Sequence, residues 1–442
     1  MAREILLGNA TVVTLGENNR VFPGAVLLRG GVIAEVGDGD RIKKDHPEAD
    51  YIDCRRRLLM PGFINCHHHL YSTFARGLAP KGPAPYTFVE ILERLWWPLD
   101  QALEREDVYF SALIPLIDCV KKGATAIIDH HESQGVQAGI LDELARAAEE
   151  IGIRASFCLG ISDRYGKGAE GIEENVRFIE KIHSAPVGLA RAIFGLHAAF
   201  TVEDKTLDRA VSEARRLGVG FHTHVAEAAS DQEESEKRFG VRVLRRLRDH
   251  GALGPKSLAV HCVHVDAEEM EILRDTDTPA VHNPQSNMNN AVGVAPVLEL
   301  LEKGVLVGLG TDGMTSNMLD EVRVANILHK LNKRDPRVAF VESCRLLLRN
   351  NPLIASRQFD LQLGVIEPGA AADLVVIDYV PPTPLNENTF LGHFLFGICG
   401  AGVETTIVNG RILMREKKLL HVDEEEIAAR SRELAERFWR RF

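Results

Sequence analysis

Eight short apolar runs rich in β-branched residues recur between residues 59 and 313, and longer segments with helical spacing separate them. The runs are LMPGFINCH (59–67), GATAIIDHH (123–131), IRASFCLG (153–160), ARAIFGLH (190–197), GVGFHTHV (218–225), LAVHCVH (258–264), TPAVHN (278–283) and VLVGLGTDG (305–313). Runs of this length bounded by Gly and Pro read as buried strands. LDELARAAEEIG and DRAVSEARRLG, between them, carry helical periodicity. Eight β–α units predict an α/β chain, a (β/α)8 TIM barrel. An open doubly wound sheet is the alternative, and the count of eight favours the barrel.

The ends of the chain have a different texture. ATVVTL, AVLLR and VIAEVG near the start, and ADLVVIDY (372–379) and VETTIVNGRIL (403–413) near the end, read as short strands broken by turns. They predict a small composite β domain built from both termini. The expected boundaries are 1–57 for its first part, 58–362 for the barrel, 363–422 for its second part and 423–442 for a C-terminal helix.

Net charge is −11, from 52 basic and 63 acidic residues. Polyanions are repelled by such a surface, which argues against nucleic acid or an anionic membrane as the main partner. The seven cysteines form no CxxC pair, which argues against a disulfide framework or a thiolate metal site. No apolar run is long enough to span a bilayer, and the start lacks a signal-peptide layout. The expectation is a cytoplasmic protein that forms a homodimer, the commonest assembly of soluble enzymes.

Of 17 histidines, eleven lie at or just past the ends of the predicted strands: 67, 68, 69, 130, 131, 197, 222, 224, 261, 264 and 282. Barrel enzymes build their sites at that rim. Strand side chains alternate faces. His67 and His69 therefore point together and His68 points away, so the pair can hold one metal ion from one strand end. HTHVAE places His222 and His224 on one face with Glu227 just beyond, and GLGTDG ends the eighth run in Asp312.

In this order PGFINCHHH, HVAE, HCVH, HNPQSN and GLGTDG resemble the amidohydrolase superfamily, in its cytosine deaminase-like mononuclear branch. IDHHES, LWWPLD, VHNPQSNMNNAVG and PTPLNENTFLGHFLFG are similar to the SsnA-type aminohydrolases. The resemblance implies that His67, His69, His224 and Asp312 hold one divalent metal, Zn²⁺ first, with Fe²⁺ accepted by the same ligands. It implies that Glu227 shuttles protons, that His261 contacts the reacting water or carbon, and that His197 lines the substrate pocket. Superfamily members with two metals bridge them with a modified lysine at the end of the fourth strand. Here that strand ends in GLH, and Lys181 lies earlier, on a predicted helix.

The implied reaction is hydrolytic deamination of an amino-substituted N-heterocycle, a purine or pterin among them, by a water whose pKa the metal lowers. Asp312 would accept that water's proton, and Glu227 would protonate the ring and the departing ammonia. A cyclic-amide hydrolase is the alternative, and a non-catalytic metal-binding scaffold the second. His130 and His131 alternate faces, so at most one meets the substrate. His222 would orient a ligand and His264 would pack. Trp96 and Trp97 are expected to pack as a helix face. The segment 79–85, APKGPAP, either covers the site or is an inert connection. Asn287, Asn289 and Asn290 either bind a polar heterocycle or cap a helix.

Overall fold

The computed structural model describes residues 4–78, 82–185 and 188–442. One nine-stranded sheet draws on both ends of the chain. Its order is Lys418–Leu419, Arg411–Arg415, Gly402–Val408, Leu374–Asp378, Leu58–Pro61, Glu4–Val13, Val21–Arg29 and Val32–Gly37, with Asp50–Asp53 pairing onto Glu4–Val13. Leu58–Pro61 is the joint. It runs parallel to Glu4–Val13, Thr11 opposite Leu58, and antiparallel to Leu374–Asp378, Met60 opposite Val375. Val12, Val26, Leu59, Leu374 and Val376 are buried together beneath it.

The middle of the chain holds two parallel sheets. The four-stranded one runs Ala190–Ala192, Arg154–Phe157, Ala124–Asp129, Phe63–His68. The six-stranded one runs Val307–Leu309, Ala280–His282, Leu258–His261, Phe221–Val225, Phe194–Ala198, Gly160–Ile161. Backbone bonds link their margins. Gly160 N–H donates to His131 O (2.9 Å), and Thr311 N–H donates to His67 O (3.0 Å). Bridges also pair His131 with Leu159 and His68 with Asp312.

Three predicted strands differ from the expectation. The run 59–67 is two strands, the first in the terminal sheet and the second in a parallel one. The third and fourth runs are each split, at residues 158–159 and at residue 193. Gly62, where the first split falls, has its N–H bonded to Asp373 O (3.0 Å), so the terminal sheet ends there.

The last helix, Glu424–Arg441, starts where Asp423 accepts the N–H groups of Glu425 and Glu426 (3.0 and 3.1 Å). It buries Ile427, Leu434 and Phe438. Trp439 Nε1 donates to Phe74 O (2.8 Å), which ties the helix to the 3-10 turn Leu70–Ala75. That turn begins directly after His69.

Candidate metal and catalytic site

The parallel strands deliver their last residues to one buried cluster. His67 and His69 leave Phe63–His68 and its end, His224 lies on Phe221–Val225, His261 closes Leu258–His261, and Asp312 follows Val307–Leu309. His69 Nε2 stands 3.1 Å from His224 Nε2 and 3.2 Å from Asp312 Oδ1. His67 Nε2 is 3.8 Å from the same Asp312 oxygen. The donor atoms of His67, His69 and Asp312 lie within 4.8 Å of one another, as do those of His67, His224 and His261.

The outer nitrogens decide what the inner ones offer. His69 Nδ1–H donates to His130 O (2.5 Å), and His224 Nδ1–H donates to His197 O. Both rings then present an Nε2 lone pair inward. Burial pushes both pKa values down, that of His224 to about 3, and that of His67 well below the usual range. Protonation therefore does not supply the positive charge that facing lone pairs and a carboxylate require. His67 Nε2 finds no hydrogen-bond partner among the described residues, while its Nδ1 faces His222 Nε2 at 2.9 Å. Imidazole nitrogens and a carboxylate converging in this way suit zinc or ferrous iron.

Asp312 is held for the role. Ser286 Oγ donates to its Oδ2 and Gly313 N–H to its Oδ1, both at 2.6 Å. Burial pushes its carboxyl up, but His69, His261, Ser286 and His224 pull it further down, to about 2. Asp312 has φ +54°, His261 +71°, Cys262 +51° and Ala226 +46°. Left-handed backbone at four non-glycine residues marks strain of the kind that collects at functional sites. Gly310 is required beside them: a Cβ there would sit 2.7 Å from His67 Cβ and 2.5 Å from Asn283 Oδ1.

Glu227 and His261 form a second pair, Oε2 to Nε2 at 3.4 Å. His261 Nε2 is also 3.7 Å from Asp312 Oδ2. His261 Nδ1–H donates to Asn287 Oδ1 (2.8 Å), and Asn290 Nδ2 donates to Glu227 Oε1 (3.3 Å). Burial, Asp312 and Asp231 push the Glu227 carboxyl well above the usual range, which favours its protonated form. Burial keeps His261 neutral.

Above the cluster a cavity of about 790 Å³, mouth included, is lined in part by His69, His197, His224, Glu227 and Asp312. His197 is on its wall, with Nδ1 2.9 Å from Thr201 Oγ1. Neither His130 nor His131, of which at most one is expected to meet the substrate, lines the cavity. His130 sits beneath His224, ring centroids 4.6 Å apart, with Nε2 3.1 Å from Leu196 O. His131 points away, to Ser133 Oγ (2.9 Å). Both are fully buried. His68 likewise turns from His67 and His69 to Ser316 Oγ (3.2 Å), and His264 Nε2–H is taken by Val292 O (2.7 Å).

Trp96 and Trp97, expected only to pack, line the cavity. The cause is local. Pro98 has no N–H to continue an α-helical ladder, and Leu92–Trp96 widens to a π-helix that turns both rings toward the site. Asp100, Glu132, Asp231 and Ser286 also reach the cavity and were not singled out in the sequence. Ser286 and Asp231 stand inside the quoted motifs or beside them, so a reading of every polar residue in HNPQSN and EAASD would have found them. Asn289 and Asn290 line the wall, and Asn287 supports His261 from behind. Residues 79–81 of the expected covering segment lie outside the described residues, while Pro83 O and Ala84 O bind Arg94 Nη1 (3.1 and 3.3 Å). Lys181, on the helix Gly168–Ser184, pairs with Asp142 of the helix Ile140–Ile151 (3.0 Å), apart from the cluster.

Parallel strands carrying imidazoles and carboxylates to one buried centre under a cavity define an α/β hydrolase of TIM-barrel type. The comparisons place it more narrowly. The model of the amidohydrolase family matches residues 58–413, and an imidazolonepropionase-like composite domain of bacteria matches residues 24–49. The 5-methylthioadenosine/S-adenosylhomocysteine deaminase of Pelotomaculum thermopropionicum is 33% identical over 438 residues, 98% of each chain. The 5'-deoxyadenosine deaminase of Methanosarcina acetivorans is 33% identical over 442 residues, also 98% of each. Among solved structures, an adenosine deaminase from Xanthomonas campestris with bound zinc superposes with a TM-score of 0.85 at 23% identity, covering 99% of this chain and 98% of that one. An atrazine chlorohydrolase from Arthrobacter aurescens complexed with zinc gives 0.81 at 23%, covering 98% and 100%. The chain belongs to the amidohydrolase family. It is a metal-dependent hydrolase acting on C–N bonds of a small molecule. No helix among the described residues is long and apolar enough to cross a membrane.

Proposed function

We propose that this protein hydrolytically deaminates an amino-purine, with adenine-type nucleosides the first candidates, using one divalent metal held by His67, His69, His224 and Asp312. The observation that carries the reading is the Glu227–His261 pair, 3.4 Å apart, set against the cluster of His67, His69, His224 and Asp312 at the base of the cavity, which His69, His224, Glu227 and Asp312 help to line. The relatives named for deaminating adenosine derivatives support the substrate class. When bound, the metal, zinc for preference, supplies the charge that lowers the pKa of a water to roughly 7.

The chain's own groups do the rest. Asp312 Oδ2, fixed by Ser286, faces His261 and is placed to take a proton from that water. Glu227, whose carboxyl is pushed up by burial, Asp312 and Asp231, gives a proton to a ring nitrogen; the proton taken by Asp312 passes to the departing amine, and the hydroxyl proton of the adduct restores Glu227. His261, neutral and oriented by Asn287, accepts a hydrogen bond at Nε2 and fixes the line of attack. His197 and the indoles of Trp96 and Trp97 flank the ring and exclude water from it.

The two parallel sheets are read as one closed eight-unit barrel, on the strength of the backbone bonds between their margins. Residues 1–57 and 363–422 are read as one composite unit, on the strength of their shared sheet. Seven buried free cysteines favour a reducing, cytoplasmic setting, and exposed Ile327, Leu331 and Phe396 favour a homodimer.

The test is ammonia release from a panel of adenosine derivatives, free aminopurines, pterins and aminopyrimidines, with Glu227→Ala as control. Release from one class, abolished in the variant, is expected. Silence with metal bound at full occupancy would instead favour ring-opening hydrolysis of cyclic amides.

A further inference from the structure

The helix Glu424–Arg441 takes no part in the chemistry above, yet its last turn touches the chain on both sides of the stretch that carries the two cavity indoles. Ahead of that stretch, Trp439 Nε1 donates to Phe74 O (2.8 Å), and Phe438 packs on the Phe74 ring, centroids 5.8 Å apart. Gly77, at φ +81°, lies against the same indole, where a Cβ would stand 3.7 Å from Trp439. Behind the stretch, Arg441 Nη2 donates to the carbonyl of Ala102 (3.5 Å), which ends the helix Trp97–Ala102. The same guanidinium pairs with Asp107, only 2% exposed, and stands 3.6 Å from Glu104 Oε1. Asp107 Oδ2 also accepts Glu104 N–H (2.8 Å), so Arg441 holds the start of the next helix, Arg105–Lys121.

Between the two attachments the wall has few polar ties to the barrel. Glu90 Oε2 accepts the N–H groups of Tyr86 and Thr87 (2.6 and 3.2 Å), and Arg94 binds Glu90 Oε1 (2.6 Å), Pro83 O and Ala84 O. Among the described residues, every side-chain hydrogen bond of 83–94 closes within that stretch. Further on, Asp100 is tied to Arg164 (2.9 Å). Phe88, Leu92, Trp96 and Trp97 line the cavity on this side, and Trp96 meets Tyr71 edge-on, centroids 6.1 Å apart. Tyr71 belongs to the turn Leu70–Ala75, which Trp439 holds at Phe74. A wall tied mainly at its ends loosens when an end is released. We infer that Trp439 and Arg441 are positioning residues: they set the indoles of Trp96 and Trp97 against the bound ring, and so set how tightly the substrate is held. The inference rests on the heterocycle reading above for what lies against those indoles.

The chain's three tryptophans are Trp96, Trp97 and Trp439. Trp439→Phe therefore leaves only the two cavity indoles to fluoresce. Phenylalanine keeps an aromatic ring beside Phe74 and Gly77 and removes the Nε1–H donor. In that background Arg441→Gln releases the second end. Acrylamide quenching of the metal-loaded protein is expected to rise by about twofold or more from the single to the double variant. With an amino-purine substrate, KM is expected to rise by about 5-fold for each tie lost, while kcat and metal content stay close to the wild type. Arg430→Ala, in the same background, is the control. It breaks an ion pair between the same two helices, to Glu106 (2.6 Å), and bonds to neither Phe74 nor Ala102. It is expected to lower the melting temperature and leave quenching and KM unchanged. Equal quenching in the single and double variants overturns the inference. So does a rise in the Arg430→Ala control as large as theirs, which marks loosening of the helix alone. Loss of metal from Trp439→Phe also overturns it, because the turn at Phe74 follows His69 and the effect then falls on that ligand. Should the double variant not fold, Arg441→Lys, which keeps a cation beside Asp107 and gives up the guanidinium fork, takes its place. Quenching needs no substrate. Silence of every amino-purine therefore removes the heterocycle reading and leaves this inference to be decided by the fluorescence.

Discussion

His69 Nε2 and His224 Nε2 face each other at 3.1 Å, and each ring's Nδ1–H is fixed on a backbone carbonyl of a neighbouring strand end, His130 O and His197 O. Neither ring can turn its lone pair elsewhere without breaking a buried hydrogen bond. The backbone therefore fixes both Nε2 lone pairs inward, the orientation that the proposed metal requires. His224→Ala removes one of four donors. Metal content by elemental analysis is expected to fall to a small fraction of one per chain, and ammonia release with it by at least about 100-fold.

His222 acts one step back, through its 2.9 Å contact with His67 Nδ1. His222→Ala should keep the fold and the ligand set but weaken metal binding by about 10–100-fold. Competition with a chelating dye measures it. An unchanged affinity would remove His222 from the account.

Much of this centre was legible in the sequence because strand periodicity is rigid. His67 and His69 had to share a face, His68 had to leave it, and Asp312 had to stand at a strand end. Positions governed by loops and helix irregularities were not. Trp96 and Trp97 reach the cavity only because Leu92–Trp96 is π-helical ahead of Pro98. Glu132 and Asp100 come together through Arg164, from three separate segments, which no spacing rule anticipates. His130 and His131 lie at a strand end as read, but the strand delivers them beneath and behind the cluster, not to the cavity. The split of 59–67 between two sheets depends on which partner strands arrive at Gly62, a tertiary matter.

Glu227→Gln keeps the side chain's size and removes its proton transfer. Metal content should stay near one per chain while kcat falls by about 10²–10⁴. The pH profile carries the sign. Because burial, Asp312 and Asp231 raise the Glu227 pKa, its protonated form persists above the usual carboxyl range and is lost as pH rises through the raised value. The wild type should lose kcat/KM on that alkaline side, and the variant should lack that limb.

Asp129, which accepts the N–H of Leu70 directly after His69, offers a stability test. Burial raises its carboxyl from 3.8 to about 8, against one opposing bond from Leu70 N–H (2.8 Å). The folded chain therefore holds a proton that the unfolded chain releases near pH 4. Its contribution is full below that pH and is lost as pH rises toward 8, by up to about 1.4 kcal/mol per unit. Melting temperature should decline between pH 5 and 8 in the wild type and decline less in Asp129→Asn. Equal slopes would contradict the assignment.

The central claim is that a single metal, held by His67, His69, His224 and Asp312, makes the deaminase. The most direct measurement strips the protein with a chelator and adds zinc back in steps, reading ammonia release and bound metal together. The account predicts no release from the stripped protein and a linear recovery that saturates at one zinc per chain. Full activity without metal, or saturation only at two, would contradict it.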